Sequence, residues 1–146
     1  MARLQIDLPE TFSYSTRLQV RLSELGGGLH LGNHMLVAYL NEAFFHFLRE
    51  HGFSGYIEKP GFINPEFSVL VTAETLYGES LRVDLALFEN GPYGFDLIFR
   101  LVKESSGKEA ARAKMTMLFF DYDQRRLERV PETFKAFLQK PAAVPL

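Results

Sequence analysis

The sequence predicts an α+β domain in which a curved antiparallel sheet of five strands wraps one long helix, with a short helix closing the chain. Three observations carry this. Residues 34–50, HMLVAYLNEAFFHFLRE, are too many for a strand and are rich in helix formers. Leu36, Val37, Leu40, Phe44, Phe47 and Leu48 crowd one half of the helical cylinder, so something large must cover them. Downstream, four segments alternate apolar and polar residues with the two-residue period of a strand, which supplies that cover.

In chain order, the first strand is read over 16–22, where Leu18, Val20 and Leu22 share one face and Arg17, Gln19 and Arg21 the other. The glycines at 26–28 end it, and glycine tolerates the backbone angles needed to turn into the helix. Asn33 is placed to cap the helix that runs from His34 to about Glu50, and Gly52 to stop it. A loop spans 52–65. Strands follow over 66–76, 80–89, 94–104 and 109–122, separated by YGES, ENGPY and SSGK. Each separator holds a turn-forming glycine, so antiparallel neighbours are the natural connection. The closing helix is read over 131–139 with Pro131 at its start, and 140–146 as a loose tail. No repeat or domain boundary interrupts 1–146, so one domain is expected.

Composition narrows the function classes. A net charge of −2 gives no electrostatic reason to expect nucleic acid or an anionic membrane as partner. No apolar run reaches the roughly 20 residues that cross a bilayer. The opening MARLQIDLPETF lacks the apolar core of a signal peptide. With no cysteine there is no disulfide, thiolate metal site or Cys nucleophile, which suits the cytoplasm.

The strand leading into SELGGGLHLGNH, the helix AYLNEAFFHFLREHGF, the stretch TLYGESLRVDLAL and the end AKMTMLFFDYDQRRLERVPETFKAFL together resemble the hotdog-fold acyl-thioesterases, in particular the 4-hydroxybenzoyl-coenzyme A thioesterase-like branch. The resemblance runs from about Phe12 to Leu138. It implies one hotdog per subunit, subunits paired through a continuous sheet into a homodimer or homotetramer, and active sites at the subunit interface. It implies an acyl or aroyl thioester of coenzyme A as substrate, with no metal and no separate cofactor. The family carries a catalytic Asp in the loop before the central helix, four residues ahead of the position matched by His30; here that position is Gly26. A Glu near the middle of the helix is replaced by Asn41, with Glu42 immediately after. Two functions therefore stay open: a thioester hydrolase, or a hotdog protein that binds acyl-CoA or serves assembly or regulation and hydrolyses poorly.

Candidate groups cluster before and along the helix. Amides around Gly32, Asn33 and His34 could hold a thioester carbonyl oxygen, because a helix start presents unpaired N–H groups and a positive dipole end. Glu24 has the strand parity of Leu18 and Val20. It is either a general base aimed at the helix start or a loop carboxylate that has reached solvent. His34 is the competing base. Glu42 either lines the cleft or pairs with a partner subunit. His30 and His34 have the spacing of a zinc pair, but Gly32 between them argues against one helix face presenting both, and a contact to substrate or a neighbouring loop is the better use of each. Arg112 and Lys114 face outward on the last strand and are either coenzyme A phosphate contacts or a solvated face. The arginines at 125, 126 and 129 share that ambiguity.

Overall fold

The alternating segments do become one sheet. The computed structural model describes residues 3–53 and 61–141. Five main strands, β1 (Tyr14–Gln19), β2 (Gly61–Val71), β3 (Ser80–Asn90), β4 (Gly94–Lys103) and β5 (Glu109–Asp121), form a curled antiparallel sheet in the order β1-β3-β4-β5-β2. A two-residue strand, β6 (Arg126–Leu127), pairs with the end of β5. The long helix α1 (Asn33–Glu50) lies on the concave face. The short helix α2 (Glu132–Lys135) closes one end of the core with Phe134. This is the α+β hotdog fold.

The inward faces are those the alternation predicts. Leu81, Val83, Leu85 and Leu87 on β3, Phe95, Leu97, Phe99 and Leu101 on β4, and Ala111, Ala113, Met115, Met117 and Phe119 on β5 are all buried against α1. From the helix, Leu40, Phe44 and Phe47 fill the centre. Phe44 meets Phe62 and Phe95 at ring-centroid distances of 5.7 and 5.8 Å. Among the described residues no helix is long and apolar enough to cross a membrane.

Several boundaries differ from the sequence reading, each for a physical reason. β1 ends at Gln19, and the chain passes into a 3₁₀ turn over Leu22–Glu24, so Leu22 is rotated out and exposed while Val20 stays buried. Gly32, not Asn33, occupies the cap position of α1, and no side chain caps it. β2 starts at Gly61, inside the expected loop, and runs past Pro65 through a register shift between Ile63 and Glu66. Proline is tolerated there because β2 is an edge strand and a bulge releases the residue from the ladder. The strand read over 66–76 stops at Val71. α2 is four residues long, and Gln139 forms a bridge to Phe88 instead of extending it. Residues 54–60 of the expected loop and 142–146 of the expected tail lie outside the described residues.

One connection changes the topology. β2 and β3 are consecutive but do not pair. β3 pairs with β1 at one side of the sheet and β2 with β5 at the other. Residues 72–79 must therefore cross the sheet, and on the way they dock on the start of α1. The Leu31 amide donates to the Thr75 carbonyl at 2.8 Å, and His30 bridges Leu76.

The convex face carries a charge network. Asp84 is only 3% exposed and accepts from Ser15, Arg82 and Arg100 at 2.6–3.1 Å. Burial alone would raise its pKa; the hydrogen bonds from Arg82, Ser15 and Arg100 outweigh burial and hold it below the ordinary carboxylate value. A depressed folded-state pKa stabilises the fold above the unfolded pKa, and this is lost as pH falls through the folded value. Asp84→Asn should cost ~3 kcal/mol near neutral pH, because two guanidiniums lose their counter-charge. The penalty relative to wild type should shrink in urea melts at pH below about 4, near the unfolded carboxylate pKa. An equal penalty at both pH values would exclude the charge network as its source.

Candidate active site at the start of the long helix

The glycine-rich loop folds back on itself. Leu25 bridges Leu31, the Gly26 amide donates to the His30 carbonyl at 2.8 Å, and the Gly32 amide donates to the Glu24 carbonyl at 3.1 Å. Closing so short a pin requires left-handed backbone at its tip, taken by Gly28 at φ 76° and Leu29 at φ 63°. The glycine carries no penalty there; the leucine is a strained residue with an exposed side chain. The pin delivers Gly32 to the helix cap.

At that cap the Met35 and Leu36 amides both donate to the Gly32 carbonyl. The Asn33 and His34 amides have no acceptor among the described residues. Of the three amides expected to hold an oxyanion, the one on Gly32 is therefore already engaged, and two remain. The His34 ring folds back over the cap: a Cβ on Gly32 would lie 2.7 Å from its Cε1. A Cβ on Gly26 would lie 3.3 Å from the Gly32 Cα, so a side chain at 26 would project at the start of α1.

A small cavity of about 120 Å³ opens beside the cap, lined by His30, Leu31, Asn33 and Leu36 on one side and by Val71, Ala73, Glu74 and Thr75 on the other. Its second wall is the crossing segment between β2 and β3. His30 Nδ1 stands 3.9 Å from Glu74 Oε2. His30 and Asn33 thus line this cavity, while Gly32 and His34 stand together at the cap beside it.

The Glu24 backbone lies at the cap, but its side chain turns away from it. The 3₁₀ turn breaks the strand parity, and its Oε1 accepts from the Arg21 amide at 2.8 Å and the Tyr39 hydroxyl at 2.6 Å. Burial, then the Glu24 carboxylate, pushes the Tyr39 pKa well above its usual value, so the hydroxyl stays protonated and donates. Glu24 therefore meets α1 almost two turns in, at Tyr39. Glu42 is exposed and pairs with His46 of the same helix at 3.6 Å. It lies nine residues from Asn33, or about 13 Å along the axis.

Arg112 and Lys114 do point outward, but onto the convex face, across the sheet from the start of α1. Arg112 is held by Glu109 and by the Ile6 carbonyl, and Lys114 lies 3.6 Å from Asp96. The larger groove of about 570 Å³ that Lys114 lines is formed with residues 5–11 and 139–141 on that outer face. Arg125, Arg126 and Arg129 are spread along the surface. Arg125 stacks on Phe120 and Tyr122, Arg126 pairs with Glu128, and Arg129 stacks on Tyr93.

Glu74 and Thr75 were missed by the sequence reading. They fell inside the strand read over 66–76, and nothing local in TAETLYG marks a chain that leaves its sheet to cross a helix end.

Comparison with known proteins agrees with this fold. The fold matches a 1,4-dihydroxy-2-naphthoyl-CoA thioesterase from Synechocystis with a TM-score of 0.79 at 17% identity, covering 86% of this chain and 94% of that one. A gentisyl-coenzyme A thioesterase matches with a TM-score of 0.76 at 18% identity, covering 86% and 100%. A Staphylococcus aureus protein in complex with CoA matches with a TM-score of 0.76 at 17% identity, covering 90% and 84%. At such identities the likeness shows a shared fold. No curated protein matches the sequence. The family model of the thioesterase-like superfamily, however, matches residues 20–138, from the end of β1 through α2. The chain belongs to the thioesterase-like superfamily.

Proposed function

We propose that the protein hydrolyses an acyl- or aroyl-coenzyme A thioester, with the carbonyl oxygen held at the start of α1. The observation that carries this is the pair of unpartnered amides of Asn33 and His34 beside a cavity. As a thioester is attacked, charge builds on its carbonyl oxygen, and two fixed donors plus the helix dipole stabilise that charge more than the ground state. The thioesterase-like family and the CoA-bound structural neighbour support the substrate class. Hydrolysis by a panel of acyl-CoAs, followed by release of free thiol, tests the reading. Turnover of at least one member is expected.

The second reading is an acyl-CoA binder with weak turnover, favoured by one observation: position 26, which points at the cap, carries no carboxylate. A rise in melting temperature with acyl-CoA, but no thiol release from any member, would favour it.

The β2 edge supports pairing of two subunits. Among the described residues β2 has no strand on its outer side, and Phe67 and Val71 are more than half exposed. An uncovered apolar edge of this length invites a partner strand. We expect sedimentation at no less than twice the 16.7 kDa chain mass at micromolar concentration. A clean monomer would contradict both the paired sheet and a site shared between subunits.

A further inference from the structure

The hydrolase reading leaves the proton unassigned: position 26 holds no side chain, Glu24 is bound to Tyr39 and the Arg21 amide, and the His34 ring is folded over Gly32 and is not among the residues that line the cavity. The wall of the cavity opposite α1 supplies what is missing. Glu74 is the one carboxylate among its described lining residues, with His30 at 3.9 Å. Next to it, Thr75 is 4% exposed, yet its hydroxyl makes no hydrogen bond among the described residues. A hydroxyl without a protein partner that solvent can reach takes water or a ligand in that role. The hydroxyl is not sealed off, and the opening that Thr75 lines is this cavity.

We infer that Glu74 is the general base for thioester hydrolysis, and that Thr75 positions the attacking water between this carboxylate and the thioester bound at the Asn33 and His34 amides. This rests on the hydrolase reading above. The Glu74 carboxylate takes one proton from water as the water oxygen bonds to the carbonyl carbon. The tetrahedral intermediate collapses, the carbon–sulfur bond breaks, and the departing thiolate of coenzyme A takes that proton from Glu74. The carboxylic acid product then loses its own proton to solvent, and the enzyme returns to its starting state. His30 Nδ1 faces the Glu74 carboxylate at 3.9 Å, and both side chains line the cavity. The crossing of residues 72–79 is thus what replaces the family's Asp with a carboxylate from the opposite wall.

The test measures steady-state thiol release from the best acyl-CoA of the panel, together with melting temperature and binding of that acyl-CoA. Glu74→Gln should lower kcat by about 10²-fold or more, the usual scale for loss of a general base. Binding and melting should stay near wild type, since the Glu74 side chain is mostly exposed. Thr75→Val keeps the shape and removes the hydroxyl, so it should lower kcat with KM nearly unchanged, and Thr75→Ser should restore most of the loss. Wild-type kcat in Glu74→Gln overturns the inference while leaving the hydrolase reading standing. Equal losses in Thr75→Val and Thr75→Ser overturn the water-positioning role. A wild-type protein that hydrolyses no acyl-CoA overturns both the inference and the reading beneath it.

Discussion

Asn33→Pro is expected to lower kcat by about 10²- to 10³-fold, the scale of losing one oxyanion donor, while the protein still folds. Asn33 is the first residue of α1, and its amide has no acceptor among the described residues. Proline is favoured at that helical position, where its ring sets the right φ and the missing N–H breaks no bond. The preceding residue must be extended, and Gly32 is, at φ −68° and ψ 143°. The substitution therefore deletes one hydrogen from the candidate oxyanion site with little else disturbed. Asn33→Ala is the control: it removes the side chain and keeps the amide, so it should retain most of the activity. If the proline variant melts like wild type and turns over at the wild-type rate, the carbonyl is not held at this helix start.

Phe44→Ala should remove about 3–5 kcal/mol of stability, a large share of what holds a domain of this size together. Phe44 is 1% exposed and packs against Phe62 of β2 and Phe95 of β4, besides Phe47 of its own helix. Truncation leaves a void where helix and sheet meet, which neighbouring rings anchored on three elements fill only in part. The melting temperature should fall by about 10 °C or more. If the soluble variant melts within a few degrees of wild type, then α1 is not the axis of the core. Beyond its size, this result bears on the site, because the same helix carries the cap residues at its other end.

Periodicity over ten residues or more is a local property, and it was enough to place α1 and the inward faces of β3, β4 and β5. Element ends were less legible. Leu22 and Glu24 keep strand parity in the sequence, but a 3₁₀ turn rotates both, which moved Glu24 from the helix start to Tyr39. Arg112 and Lys114 were rightly placed on an outward face. Alternation cannot say that this face lies across the sheet from the cap, on the side where the Ile6 carbonyl takes up Arg112.

By itself, then, the sequence determined the helix, the strands and the family. Each of these is written in neighbouring residues, as is the turn that the glycine-rich approach makes into α1. The tertiary structure alone decided that β2 pairs with β5 instead of β3. Strand pairing is a contact between distant residues, and a glycine turn such as YGES reads the same whether it closes a hairpin or ends a crossing. That pairing sends residues 72–79 over the start of α1, and so places Glu74 and Thr75 in the same cavity lining as Asn33.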